Sequence, residues 1–152
     1  ARELTGLFNF GGFRCRIRID IWHEKFLIIT DLKSARDASQ TGFMYAMEDE
    51  NYAVQCAFYL KGASAITGKP INDFNFLVVE KEPPYRAEVY CPDFAMVASG
   101  ETMMLDAMDR LKRAIKTNNW HPEPRVAKPV SPSQRFLFKI QDMEAQRAQE
   151  AK

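Results

Sequence analysis

Long hydrophobic runs are missing from this chain. Nowhere do apolar residues approach the ~18 in a row that a membrane-spanning helix needs, and Ala-Arg-Glu-Leu-Thr at the start lacks the charged-then-apolar pattern of a secretion leader. Neither membrane insertion nor secretion is expected. Cysteine is scarce as well: Cys15, Cys56 and Cys91 are odd in number, far apart and set among apolar residues. That pattern suits neither a disulfide framework nor a zinc site and points to reduced thiols in a cytoplasmic protein. An excess of one charge is also lacking. The 21 basic and 20 acidic side chains leave a net charge of +1, too little to hold nucleic acid by bulk charge, so any such contact has to be local.

What is present describes a folded body. At 152 residues, with 46% hydrophobic residues, eleven Phe and five Tyr, the chain is about the size of one ordinary domain and has none of the low hydrophobicity of a disordered one. Charge is spread unevenly. Residues 1–36 carry seven basic against four acidic groups, residues 37–91 four against eight, and residues 92–152 ten against eight.

The opening LTGLFNFGGFRCRIRIDIW sets two apolar-rich runs around Gly11-Gly12, a pair suited to the positive φ angles of a tight hairpin turn. Strands are expected over about 4–10 and 13–21, with Cys15, Ile17 and Ile19 on one face and Arg16, Arg18 and Asp20 on the other. After a turn at His23-Glu24-Lys25, FLIITDLKS reads as a third strand, completing an antiparallel meander. Phe26, Ile28 and Thr30 fall on one face, and Leu27, Ile29, Asp31 and Lys33 on the other. Ser39 or Asp37 is expected to cap a helix through GFMYAM, and the spacing of Tyr52, Gln55 and Tyr59 predicts a second helix over about 51–66. Strands at about 73–80 and 86–91 flank Pro83-Pro84, which stops either from continuing. Pro92-Asp93 then opens a long helix reaching about Thr117, with Lys112, Arg113 and Lys116 near its end as the helix dipole favours. WHPEPRVAKPVSPSQR has no useful periodicity, and FLFKIQDMEAQRAQEAK is expected as a short helix or a segment docked on another chain. The class is α/β (α+β), an antiparallel meander flanked by helices.

Asp31 and Lys33 carry the most chemistry. Two residues apart in a strand, they point the same way, and a neighbouring strand brings Asp20 to the same region. Two carboxylates and an amine suit phosphodiester hydrolysis: the acids are hard oxygen ligands for Mg2+ or Mn2+, and the lysine orients a water or meets developing charge. D-x-K alone is common, and by itself it is better accounted for by strand-end acids beside a surface lysine. Gln55 and Tyr59, an i, i+4 pair on the following helix, add to the set. Arg14, Arg16 and Arg18 form a same-side trio for phosphates, extended by Arg36, although a solvated outer face explains them too. Tyr45, Tyr52, Tyr85 and Trp22 are read as packing residues rather than base-stacking ones. Of the two histidines, His23 reads as a solvated turn residue and His121 as part of the proline-rich tail.

RIRID, IITDLKSARDAS and YAVQCAFY together resemble the RecB-type nucleases of the PDDEXK-like superfamily, most of all the nuclease domain of the RecE-type exonucleases (exonuclease VIII) and their phage relatives. The likeness runs over about residues 4–124, with EPPYRAEVYCPD, the long helix and NNWHPEP similar to the closing elements and His121 interrupting the Trp-Pro pair. It implies a PDDEXK restriction-endonuclease-like core around a central mixed sheet over residues 1–124, with residues 125–152 as linker and tail. It further implies a catalytic centre of Asp20, Asp31 and Lys33, with Asp20 and Asp31 on Mg2+ (or Mn2+) and Gln55 and Tyr59 supporting the site or the DNA backbone. Digestion of linear double-stranded DNA in the 5′ to 3′ direction, a ring-shaped homo-oligomer and a single-strand annealing protein in DNA recombination follow from the same likeness. So does a helical portion, expected ahead of Ala1, that supplies a further histidine or glutamate to the metal and would act as a separate N-terminal segment if the nuclease is split. The competing expectations are a noncatalytic DNA-binding or protein-interaction subunit on the nuclease scaffold, and an unrelated interaction protein.

Overall fold

Gly11 and Gly12 both take positive φ, 59° and 89°, and close a two-residue turn between β1 (Arg2–Phe10) and β2 (Phe13–His23), the geometry that lets a hairpin keep its strand twist. The computed structural model describes residues 1–120, 127 and 129–150. Residues Ala1–Asn119 form one compact unit and Trp120–Lys152 a second.

The first unit contains a five-stranded mixed sheet in which strand order follows chain order, joined by β3 (Ile28–Ala35), β4 (Asp73–Glu80) and β5 (Ala87–Tyr90). The pairs β1–β2, β2–β3 and β4–β5 are antiparallel, and β3–β4 is parallel. A parallel pair needs a crossover, and here it is supplied by α1 (Gln40–Asp49) and α2 (Tyr52–Thr67). Ser39 caps α1 by accepting Gly42 N–H at 3.2 Å. Asp93 caps α3 (Phe94–Thr117) by accepting Met96 N–H at 2.8 Å. The core lies between the sheet and the crossover, where Ile17 of β2, Ile29 of β3 and Phe76 and Val78 of β4 meet Cys56 of α2, all fully buried. Gly100 of α3 is buried against the backbone of Ala53 in α2, so close that a Cβ there would overlap the Ala53 carbonyl. The second unit holds α4 (Gln134–Glu150), whose Phe136 and Phe138 are exposed.

Three expectations change. The third strand starts at Ile28, not Phe26, because Glu24–Leu27 form the turn and Leu27 takes φ 55°, which a strand cannot accommodate. His23 is consequently the last residue of β2, opposite Ile28. Asp20 also leaves the arginine face. The β1–β2 register runs from Leu4 opposite Ile19 to Arg2 opposite Ile21 without a Glu3–Asp20 pair, Glu3 sits at φ 53°, and beyond this irregularity Trp22 packs against the core. His121 lies outside the described residues.

Glu80, at the end of β4, ties the sheet to the crossover. Its two carboxylate oxygens accept Ala38 N–H at 3.1 Å and Arg86 N–H at 3.0 Å, while Tyr90 O–H donates to the Ala38 carbonyl at 2.6 Å. The two backbone N–H groups hold the Glu80 carboxyl below the ordinary glutamate range. A depressed pKa gives stability that is present above the unfolded-state value and lost as pH falls through the folded one. Glu80→Gln should therefore lower the urea midpoint at pH 7 and converge on the parent in acid; an equal deficit at both pH values would contradict the assignment. Gly100→Ala should destabilise by roughly 1–3 kcal/mol through overpacking, read as a fall in the same midpoint.

Candidate active site

The pairing of β2 with β3 stops early. It covers Ile21–Thr30, Trp22–Ile29 and His23–Ile28, whereas β3 pairs with β4 along its whole length to Ala35–Glu80. From Asp31 onward, β3 therefore has a free edge on the β2 side. Asp20 occupies the point of divergence, and its Oδ2 accepts Leu32 N–H at 2.9 Å, replacing a ladder bond by a side-chain one and setting one carboxylate beside the next.

Asp31 sits in the middle of β3 and is 3% exposed, rather than at a strand end. Strand alternation turns Ile29, Asp31 and Lys33 toward the crossover helices, as the period of two requires. Gln55, one turn into α2, joins the two charges: its Nε2 donates to Asp31 Oδ1 at 2.7 Å and its Oε1 accepts from Lys33 Nζ at 2.8 Å. Lys33 Nζ lies 2.6 Å from Asp31 Oδ2, an ion pair that engages this buried oxygen. Beneath the ammonium is an aromatic floor, with the Tyr52 ring centre 4.3 Å from Nζ and Phe76 5.8 Å away. Tyr52 in turn stacks on Phe76 at 5.8 Å and meets Phe43 at 6.1 Å.

Burial is the largest influence on Asp31 and raises its pKa; the Lys33 hydrogen bond and charge oppose this, nearby Asp20 adds to it, and Gln55 lowers it. The site thus concentrates negative charge that its protein partners offset only in part. Cys56, on the same helix as Gln55, is fully buried; burial first and then the Asp31 charge push its thiol up to about 12.

Asp20, Asp31, Lys33 and Gln55 are brought together as expected. Tyr59 is not part of that hydrogen-bonded set: its ring packs edge-on against Phe74 at 6.4 Å. Arg14, Arg16 and Arg18 are exposed on the sheet face away from α2, since they alternate with Ile17 and Ile19, and Arg18 is paired with Glu3. Arg36, exposed just beyond β3, lines a cleft that begins at Lys33. Outside the site, His23 Nε2 lies 3.3 Å from Thr30 Oγ1. Sequence reading missed the part played by Tyr52, although its place three residues before Gln55 puts both on one helix face.

Among the described residues, no group of three or more His, Cys, Asp or Glu side chains is gathered to hold a metal ion. Two neighbouring carboxylates, one of them buried, nevertheless suit a hard cation that keeps several waters, the usual habit of Mg2+. No described helix is long and apolar enough to cross a membrane.

Residues 2–125 match the family model described as "PDDEXK-like domain of unknown function (DUF3799)". The chain belongs to this PDDEXK-like family. Its fold is the nuclease fold of that superfamily, of a kind that serves nucleic-acid hydrolysis in general. Of the solved proteins, one from Eubacterium rectale, provisionally named an exonuclease, superposes on this PDDEXK-like chain with a TM-score of 0.67 at 16% identity, over 86% of this chain and 55% of that one. A second, SSO0001, gives a TM-score of 0.45 at 19% identity over 83% of this chain and 52% of its own. The chain spans about half the length of these solved proteins. No curated protein matches the sequence.

The thiols offer a check on the packing behind Gln55. At pH 8 Cys91, which is exposed, should be alkylated by iodoacetamide, while Cys56 should react only on unfolding. Modification of Cys56 in the native protein, read by mass spectrometry, would contradict a closed core behind the site.

Proposed function

We propose that this PDDEXK-like domain is a metal-dependent DNA exonuclease module. The observation that carries the reading is the buried Asp31 carboxylate, held by Gln55 and by the Lys33 ammonium, with Asp20 alongside. Asp20 and Asp31 hold Mg2+, or Mn2+. Such a cation, when bound, polarises a phosphoryl oxygen and lowers the pKa of its water. Lys33 gives one N–H to Gln55 and its charge to Asp31, which leaves donor capacity for the attacking water or a phosphate oxygen. Attack of that water on phosphorus breaks the bond to the departing sugar oxygen; the water's proton passes to solvent, and the sugar oxygen takes up a proton from solvent to leave as a hydroxyl. Gln55 acts through the other two: it fixes the separation of acid and amine and does not touch the substrate.

The RecE-type likeness extends the same reading to linear double-stranded DNA digested 5′ to 3′ from an end, with a ring-shaped oligomer and an annealing protein as partners. A second reading is favoured by one observation, the lack of a third acidic or imidazole ligand beside Asp20 and Asp31 among the described residues. On that reading the domain binds DNA without cleaving it, or forms one part of a split nuclease completed by a separate N-terminal segment.

Linear and circular duplexes incubated with Mg2+ or with chelator separate the two. Metal-dependent loss of linear duplex is expected, and Asp31→Asn and Lys33→Met should each lower it at least ~100-fold with unchanged circular dichroism. Undiminished cleavage in either variant would overturn the assignment. Metal-independent DNA binding without cleavage would establish the second reading.

A further inference from the structure

Lys33 and Tyr52 also form one wall of a cleft of about 460 Å³, continued by Arg36 beyond β3 and by Tyr45, Asp49 and Glu50 along α1 and its C-terminal cap. Its size lies within the range of small-ligand sites. Phe43 and Met47 are buried and orient α1 on the core, leaving Tyr45 58% exposed and on the same helix face as Asp49, four residues on. Tyr52 is already engaged by Lys33 and Phe76, so Tyr45 is the cleft's available aromatic face.

The charge of the cleft decides what it takes. The Lys33 ammonium is met by Asp31, and no ion pair among the described residues engages Asp49 or Glu50. With Arg36 the remaining cation against Asp37, Asp49 and Glu50, the lining is acidic on balance, which disfavours a phosphate. A cation is not the better occupant, because these acids are not gathered as a metal-binding group. An aromatic surface beside acceptor-only carboxylates instead matches a flat ring carrying N–H donors. A nucleobase meets both demands: every base has a face to stack, and the cytosine amino group donates to Asp or Glu, whereas thymine presents a carbonyl oxygen at the corresponding edge.

We propose that this cleft is a base-binding subsite for an unpaired nucleotide next to the scissile phosphate, with Tyr45 as the stacking platform and Asp49 and Glu50 as acceptors for amino groups of the base. The subsite rests on the nuclease reading, since the neighbouring phosphate is the one placed at Asp31 and Lys33. It makes the domain selective for amino-bearing bases over thymine at that position.

Binding of oligodeoxycytidylate and oligodeoxythymidylate of equal length, read by fluorescence anisotropy in the Asp31→Asn background, tests the inference alongside duplex cleavage by the parent. Oligodeoxycytidylate should bind about fivefold or more tighter. Tyr45→Ala should weaken both by about fivefold or more, with Tyr45→Trp retaining affinity. Asp49→Asn combined with Glu50→Gln should erase the preference without weakening oligodeoxythymidylate. Tyr45→Ala binding within twofold of its background, or a preference that survives the double substitution, would overturn the subsite. With parental cleavage intact, either result leaves the nuclease reading standing. A parent that neither cleaves DNA nor binds these strands would overturn both.

Discussion

A carboxylate taken out of water has to be met by charge and hydrogen bonds, and Asp31 imposes that requirement on everything around it. Lys33 answers with charge, Gln55 binds the acid and the amine in one side chain, and Tyr52 and Phe76 supply an aromatic face under the ammonium. Because Gln55 belongs to α2, satisfying Asp31 also fixes how the crossover lies on the sheet, and Gly100 then permits α3 to close against the backbone of α2. Asp31 nevertheless stays incompletely matched, with burial still raising its pKa. Stability and the proposed chemistry pull in opposite directions here, and the residual negative charge is what would suit the proposed cation.

The second constraint is topological. Were β2 and β3 paired along their full length, Leu32 N–H would bond to backbone and Asp20 would have no reason to turn toward β3. Their divergence after Thr30 opens the edge, and the Asp20 carboxylate closes it again at one point. The same divergence leaves the end of β3 facing α1, where the acidic, tyrosine-bearing cleft begins. Candidate site and cleft are thus two consequences of one strand leaving its neighbour, with Lys33 common to both.

Much of the fold was legible because local chemistry dictated it. Gly11-Gly12 could only be a turn of positive φ, Ser39 and Asp93 were suited to cap helices, and the alternation in RCRIRI could only be a half-buried strand. The less legible places are those where a distant residue overrides the local pattern. The turn from Glu24 to Leu27 consumed two residues that read as strand, since reversing the chain required a positive φ at Leu27. The alternation of β2 lapsed at Asp20 because Glu3, on another strand, broke the ladder opposite it. Tyr59 fits the helical stripe with Gln55 but packs against Phe74, since one more turn of α2 carries it past the site and over β4.

The amino-acid sequence by itself determined the types and order of the elements and which residues form the candidate set, because hydrophobic period, turn chemistry and the D-x-K spacing are local properties. It also determined that Asp31 and Lys33 share a face, since alternation along a strand leaves no choice. Only the tertiary structure decided that Asp31 is buried, that Gln55 rather than Tyr59 holds it, that the arginine trio lies on the other face of the sheet, and that Tyr45 is left open beside Lys33. Each of these depends on which strand ends first and which helix covers it, and those are outcomes of packing between residues far apart in the chain.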